Sequence, residues 1–450
     1  MAVGPTFTPG PSSRSSAHAS SADLAAADPT AAHVKASDPT AASVTADVPT
    51  AAPRRRPADR TADEQDPVSR ARPASRVRWD RLRKRLPLDV LVSWLVARLI
   101  VGATLAVTRY VVTTLHDRHE TATLLPHTGL LGWDAGWYEN IAGHGYHGAG
   151  PSSLRFFPLF PLLGRLGVAL PGLSGHAGAV LVVVANLAAL GFVIALARLA
   201  RREGYDEATV RRVVWLAALA PPAFVLVMGY AEALFGLLAV LVLLGARTRR
   251  WELATAAGFL AGLCRPVGLL LVAAVAIEAS RGLRQASGRD RARRVGATVA
   301  PVLGALAYLL WVQDAYGDWF RPFRLQRSAA LHGASSNPAR VLWDAAEGTF
   351  HGHVGTGLHV PWLIGSAILL VVMARRLPAS YTAWAALTLV AVLTGSNLDS
   401  SERYLYSVFP FLIVAADLAR RRAVWWLVLT GSAVLMSLYA LLAFLEIYVP

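Results

Sequence analysis

Residues 81–112 read RLRKRLPLDVLVSWLVARLIVGATLAVTRYVV. A basic cluster, Arg81, Arg83, Lys84 and Arg85, stands directly before an apolar run from 88 to 112, longer than the ~20 residues that cross a bilayer as a helix. Cations tight against such a run hold their side of it in the cytoplasm. Working outward, the chain of 450 residues is 54% hydrophobic and 16% charged, where a soluble average is about a quarter charged, and its mean hydropathy is +0.42. These values exclude an ordinary soluble protein. Upstream, residues 1–86 hold little apolar bulk and show no helical or strand period, which predicts a disordered cytoplasmic tail ending in a basic collar. A degenerate decad, ADPTAAHVKA then SDPTAASVTA, repeats there, too short and polar to stack as a solenoid. No apolar segment follows the N-terminus as a signal peptide requires.

Downstream, residues 87–450 predict an all-α polytopic membrane domain. Candidate spans are 88–112, 177–199, 212–228, 231–246, 253–280, 295–313, 361–374, 380–396, 404–419 and 424–447, about 10–11 transmembrane helices once the interrupted 253–280 is allowed to turn back. That interruption is Cys264-Arg265-Pro266-Val267-Gly268, where Pro and Gly break a helix. Arginine clusters at Arg198–Arg212, Arg247–Arg250, Arg281–Arg294, Arg375–Arg376 and Arg420–Arg422 assign those loops to the cytoplasm. Three segments are left outside: about 113–176, 316–360 and 396–403. In the first of these, LRFFPLFPLL (154–163) is apolar but broken by two prolines, and reads as lying along the outer leaflet.

The net charge of +15 is therefore mostly topological. Only Trp79 interleaves with the arginines of the collar, so no nucleic acid partner is expected. The single cysteine, Cys264, excludes an internal disulfide and a cysteine metal site, and no metal-ligand spacing, Gly-rich phosphate loop or hydrolase nucleophile arrangement is present. Few acids fall inside the predicted spans. Proton- or ion-coupled transporters place ionisable groups at mid-depth, whereas here the polar chemistry collects at the outer surface, as suits an enzyme acting on a lipid-linked substrate.

The most specific stretch is GWDAGWYENIAGHGY (132–146). Asp134 lies between Trp133 and Trp137, aromatics that serve either as interfacial anchors or as sugar-stacking faces. A carboxylate among them is expected to be partly desolvated and more basic, suited to a general base; equally, Asp134 caps the helix that follows. Glu232 starts a span and either binds sugar hydroxyls or caps its helix. Arg265, inside an apolar hairpin, needs an anion or a carboxylate partner. Outward arginines run against the positive-inside bias, and six are candidates for a phosphate: Arg155, Arg321, Arg324, Arg327, Arg340 and Arg403. Arg403 leads, with a snorkelling position or an ion pair to Glu402 as the alternatives.

WDAGWYENIAGHGY, FFPLFPLL, YAEALF (230–235) and CRPVG (264–268), in that order over roughly 88–450, resemble the phosphatidylinositol-glycan class V (PIG-V) mannosyltransferases and their actinobacterial integral-membrane homologues. The resemblance implies a GT-C glycosyltransferase in the cell membrane with its active site on the extracytoplasmic face. It implies a polyprenyl-phosphate mannose donor and a lipid, glycan or protein acceptor. By motif match the catalytic base or acceptor-positioning group would be Asp134. Beside it, Trp133, Trp137, Tyr138, Glu232, Arg265 and Arg403 are the candidates from the residues themselves for binding substrate, and His144 and Tyr146 for orienting the acceptor, with a merely solvated histidine as the alternative. A divalent cation, Mg or Mn, is left open. Ala231 and Cys264 stand where family members commonly carry hydroxyl side chains. A transporter or flippase of a lipid-linked saccharide shares the same surface chemistry, and a membrane scaffold presenting the tail is a third reading.

Overall fold

The computed structural model describes residues 74–116, 129–327, 337–350, 359–395, 398 and 400–448. The tail as far as residue 73, and parts of all three outer loops (117–128, 328–336, 351–358, 396, 397 and 399), lie outside the described residues. Among the described residues every regular element is helical: α1 (Ala74–His116), α2 (Asp134–Ala149), α3 (Leu159–Val168), α4 (Ala177–Arg202), α5 (Glu207–Leu219), α6 (Glu232–Arg247), α7 (Trp251–Cys264), α8 (Leu271–Ser280), α9 (Gly288–Tyr316), α10 (Arg321–Gln326), α11 (Pro338–Phe350), α12 (Val360–Arg376), α13 (Ala379–Leu393), α14 (Ser401–Tyr406), α15 (Pro410–Leu418) and α16 (Arg422–Phe444). Among the described residues four stretches are long and apolar enough to cross a membrane: Leu88–Thr114, Ala177–Arg202, Gly288–Tyr316 and Arg422–Phe444. The all-α, multi-span architecture expected from the sequence is borne out. Shorter apolar helices, among them α3, α7 and α13, fill the space between the long ones.

Two boundaries differ from expectation. Helix starts at Ala74 rather than after residue 86, because the Arg and Leu residues of the collar are good helix formers. The segment expected as the first outer loop holds, among its described residues, α2, α3 and two short 3-10 turns, Gly129–Leu131 and Pro151–Arg155. The ten residues of α3 span only about 15 Å, too short to cross.

Helix ends follow local chemistry. Asp206 accepts from the Thr209 amide at 2.7 Å at the start of α5, and Ser287 accepts from the Asp290 amide at 3.3 Å at the start of α9, both as N-caps. Helices α7 and α9 approach through small residues. A Cβ on Gly262 would run into the Pro301 carbonyl, and one on Gly304 into the Phe259 carbonyl, so backbone meets backbone as in close-packed membrane helices. The chain breaks after Cys264: Arg265 is extended (φ −154°, ψ 148°) and Pro266–Leu270 is a 3-10 turn. Between α5 and α6 the chain passes through a 3-10 helix, Pro221–Leu226. Arg98 and Asn186 steady that segment: Arg98 Nε donates to Asn186 Oδ1 at 2.7 Å, and Asn186 Nδ2 donates to the Val227 carbonyl at 3.0 Å.

Helix α6 carries ionic clusters at both ends, about 23 Å apart at 1.5 Å per residue. At its C-terminal end Arg247 pairs with Glu203 at 2.8 Å and with Glu278 at 3.2 Å. Ser380 donates to Glu278 and Tyr381 to Glu203, at 2.5 and 3.0 Å. At its N-terminal end lies the candidate site.

Candidate active site

Two turns deliver the site, and each is strained. Trp133 sits at φ 57°, ψ −128°, and Ser400 at φ 65°, ψ 11°, in a region that side-chain-bearing residues rarely enter. Such conformations cost about 1–3 kcal/mol and persist only where the surroundings enforce them. The surroundings here are specific. Trp133 Nε1 donates to the Ala443 carbonyl at 2.9 Å, tying the turn to α16. The Asp134 amide donates to Tyr230 Oη at 3.3 Å, and the Gly229 amide to the Leu130 carbonyl at 3.0 Å. The turn at Trp133 opens α2 with Asp134 as its first residue; the turn at Ser400 opens α14, which carries Glu402 and Arg403.

Four charged side chains from four separate parts of the chain form one row. Arg403 Nη1 donates to Asp134 Oδ2 at 2.6 Å. Arg403 Nε faces Glu232 Oε1 at 3.2 Å, an ion pair without hydrogen-bond alignment, and Arg265 Nη1 donates to the same Oε1 at 2.6 Å. The row is charge-neutral, two carboxylates and two guanidiniums. Glu232, Arg265 and Arg403 are buried, their side chains 2%, 8% and 5% exposed, while Asp134 is 29% exposed at the open end. No described residue bonds to Asp134 Oδ1, whereas Glu232 Oε2 is buried without a hydrogen-bond partner. Aromatic rings line the row: the Arg403 guanidinium lies 5.2 Å from the Tyr230 ring and 5.5 Å from Tyr404, and that of Arg265 5.2 Å from Tyr404. Tyr138, one turn beyond Asp134 on α2, joins them. Burial pushes its phenol well up, Glu232 adding to the effect and Arg265 opposing it.

The structure thus brings together Asp134, Tyr138, Glu232, Arg265 and Arg403, with Tyr230 as a member that the sequence reading quoted in a motif without giving it a role. The remaining candidates make their contacts elsewhere. Trp133 is spent on Ala443, and Trp137 stacks on Phe156 with centroids 5.9 Å apart. His144 is exposed and bonds Asn140 Oδ1 at 2.9 Å; Tyr146 Oη donates to the Phe156 carbonyl at 2.7 Å. His144 lies ten residues along α2 from Asp134, about 15 Å, and Tyr146 lies past the kink at Gly145 (φ 73°). Asp134, 29% exposed, has a guanidinium, Arg403, as its partner rather than the tryptophans beside it in sequence. Glu402 does not pair with Arg403. Successive helical residues point about 100° apart, and Glu402 turns to His359 Nδ1 at 2.7 Å and to the Tyr448 hydroxyl at 2.8 Å. That buried trio ties α14 to the start of α12 and to the C-terminal segment. Sequence reading missed it because its members are 43 and 46 residues apart and share no motif.

Among the described residues no group of three or more His, Cys, Asp or Glu side chains is placed to hold a metal ion. Asp134 and Glu232 are each engaged by a guanidinium, so the divalent cation left open above finds no ready ligand set among them.

No family model and no curated protein matches the chain. Among solved structures it is similar to the Archaeoglobus fulgidus oligosaccharyltransferase. The form with zinc and sulfate aligns at a TM-score of 0.44 and 15% identity over 79% of this chain and 53% of that one. The form tethered through a disulfide to an acceptor peptide containing the NVT sequon aligns at 0.41 and 13% identity, over 80% and 56%. The chain spans about half the length of those proteins.

Proposed function

We propose that the chain is a membrane glycosyltransferase of the GT-C class that transfers a sugar, mannose, from a polyprenyl-phosphate carrier to an acceptor hydroxyl on the extracytoplasmic face. One observation carries the reading. Arg403 grips Asp134 by Oδ2 alone, leaving Oδ1 bonded to no described residue at the exposed end of an otherwise buried charge row. A carboxylate held by one oxygen and open at the other is suited to receive a hydroxyl proton. The segments that position it, the turn at Trp133 and the start of α6, lie at the end of α6 opposite to the arginine-rich loops, which the positive-inside bias keeps in the cytoplasm.

In the reaction the acceptor oxygen attacks the anomeric carbon while the bond from that carbon to the phosphate oxygen breaks, its electron pair leaving with the polyprenyl phosphate. Asp134 Oδ1 takes the acceptor proton and later returns it to water. One carboxylate suffices, because the phosphate is already a good leaving group and needs no acid partner of the glycosidase kind. Arg403 fixes the orientation of Asp134. Glu232 holds Arg403 in turn, Arg265 holds Glu232, and the Tyr230 ring lies beside the Arg403 guanidinium. The buried Glu232 Oε2 faces no protein donor and is suited to a sugar hydroxyl.

The test is transfer of labelled mannose from polyprenyl-phosphate mannose in membranes containing the protein. Asp134→Asn is expected to lower the rate at least a hundredfold with the thermal midpoint little changed. Unchanged transfer by this variant overturns the catalytic assignment, and movement of intact lipid-linked sugar without covalent product overturns the transferase reading.

A further inference from the structure

The leaving phosphate needs a cation, and Arg403 is poorly placed to supply one. Its charge is already balanced by Asp134 and Glu232, and the row as a whole is neutral. Arg155 is in the opposite condition. It ends the 3-10 turn Pro151–Arg155, and its guanidinium carbon lies 5.2 Å from the centroid of the Trp137 ring and 4.8 Å from that of Phe156. It has no carboxylate partner among the described residues, and its Nε is buried without a hydrogen-bond partner. A half-buried guanidinium with only ring faces for company has lost water without gaining an anion. A guanidinium carries a planar N–H fork, the geometry that takes two phosphate oxygens at once.

Position supports the same assignment. Trp137 lies three residues beyond Asp134 on α2, so the two occupy one helix face, and Arg155 lies over the Trp137 ring rather than inside the neutral row. Directly after Arg155 the chain turns into α3, where Leu162 and Leu166, one turn apart, are 44% and 67% exposed. That apolar stripe begins next to the cation and is suited to a hydrocarbon tail.

We propose that Arg155, held on Trp137, binds the phosphate of the lipid-linked donor. The assignment rests on the transferase reading given above. The experiment uses the purified full chain in detergent and farnesyl phosphate as probe, with farnesol and inorganic phosphate as parallel arms. Phenylglyoxal modifies accessible guanidiniums, and peptide mapping by mass spectrometry reads each arginine separately. Farnesyl phosphate is expected to reduce modification of Arg155 at least fivefold, farnesol not at all, and inorganic phosphate only weakly at equal concentration. Arg155→Gln is expected to weaken retention of radiolabelled farnesyl phosphate at least tenfold and to raise the KM for the donor by as much, with Arg155→Lys in between. Equal modification of Arg155 with and without farnesyl phosphate overturns the proposal, as does equal protection by inorganic phosphate or farnesol. The protection arm uses the unaltered protein and decides the matter even where a variant fails to fold. Protection without sugar transfer refutes the transferase reading alone, and transfer without protection refutes this proposal alone.

Discussion

Replacing Arg265 by methionine keeps most of the side-chain volume and removes one cation from the buried row. Glu232, 2% exposed, then faces only Arg403, and its Oε1 loses a donor at 2.6 Å. Unit charges about 4 Å apart interact by about 4 kcal/mol at an effective dielectric near 20. Breaking a buried pair by deleting one partner costs about 3–5 kcal/mol, since the remaining ion stays desolvated. Glu232→Gln strands Arg265 instead and is expected to cost as much. The double variant strands neither, because Arg403 keeps Asp134. Its loss is expected to fall short of the sum of the single losses by about 2–3 kcal/mol, the coupling found for residues sharing a network. At about 2 °C per kcal/mol, each single variant melts roughly 6–10 °C early and the double variant regains about 4–6 °C relative to additivity. Cys264 is the chain's single cysteine and fully buried, so a thiol-reactive fluorophore reports melting on heating, and circular dichroism separates local opening beside Arg265 from loss of helix. Losses that add to within about 0.5 kcal/mol would refute the row as a coupled unit.

Glu402→Leu leaves His359 and the Tyr448 hydroxyl buried without their shared acceptor; a loss of about 2–4 kcal/mol is expected by the same thermal assay. Gly304→Ala drives a methyl into the Phe259 carbonyl and is expected to cost about 1–3 kcal/mol by parting α7 from α9, with the donor KM raised because Arg265 ends α7. Asp206→Ala removes the cap of α5 at a cost of about 1 kcal/mol. Partial burial alone would raise the Asp206 carboxyl, but hydrogen bonds from the Thr209 side chain and amide outweigh it and hold it below the usual range. Its contribution is therefore present above the unfolded carboxylate range near pH 4 and disappears as pH falls through the lowered folded value, so the variant and the parent should converge in strongly acidic melts.

Much of the architecture was legible because apolar runs and arginine clusters are local signals. The break at Arg265-Pro266 was visible from proline chemistry, and the need of Arg265 for a partner from the cost of a cation among apolar residues; which carboxylate would answer it was not. Glu232 and Arg265 are 33 residues apart, and Arg403 and Asp134 are 269 apart, separations at which no periodicity connects them. The same distance hid Tyr230 and the His359–Glu402–Tyr448 trio. Glu402 misled for the converse reason: adjacency in sequence to Arg403 looks like pairing, yet on a helix it sends the two side chains apart. His144 and Tyr146 share a motif with Asp134 but not its end of α2.

The placement of Glu232 at the head of α6 and of Arg265 at the foot of α7 also bears on how the chain enters the bilayer. Alone, an ion at the centre of an inserting helix costs about 2.5–3.5 kcal/mol at the translocon. Helices α6 and α7 are consecutive and antiparallel, so Glu232 and Arg265 meet at one end of the hairpin as a neutral pair. Arg403 is synthesised well over a hundred residues later and finds Glu232 Oε1 already occupied on one side. A ribosome-bound chain ending before α14 would thus already hold the Glu232–Arg265 pair while still lacking Arg403, the cation that bonds Asp134.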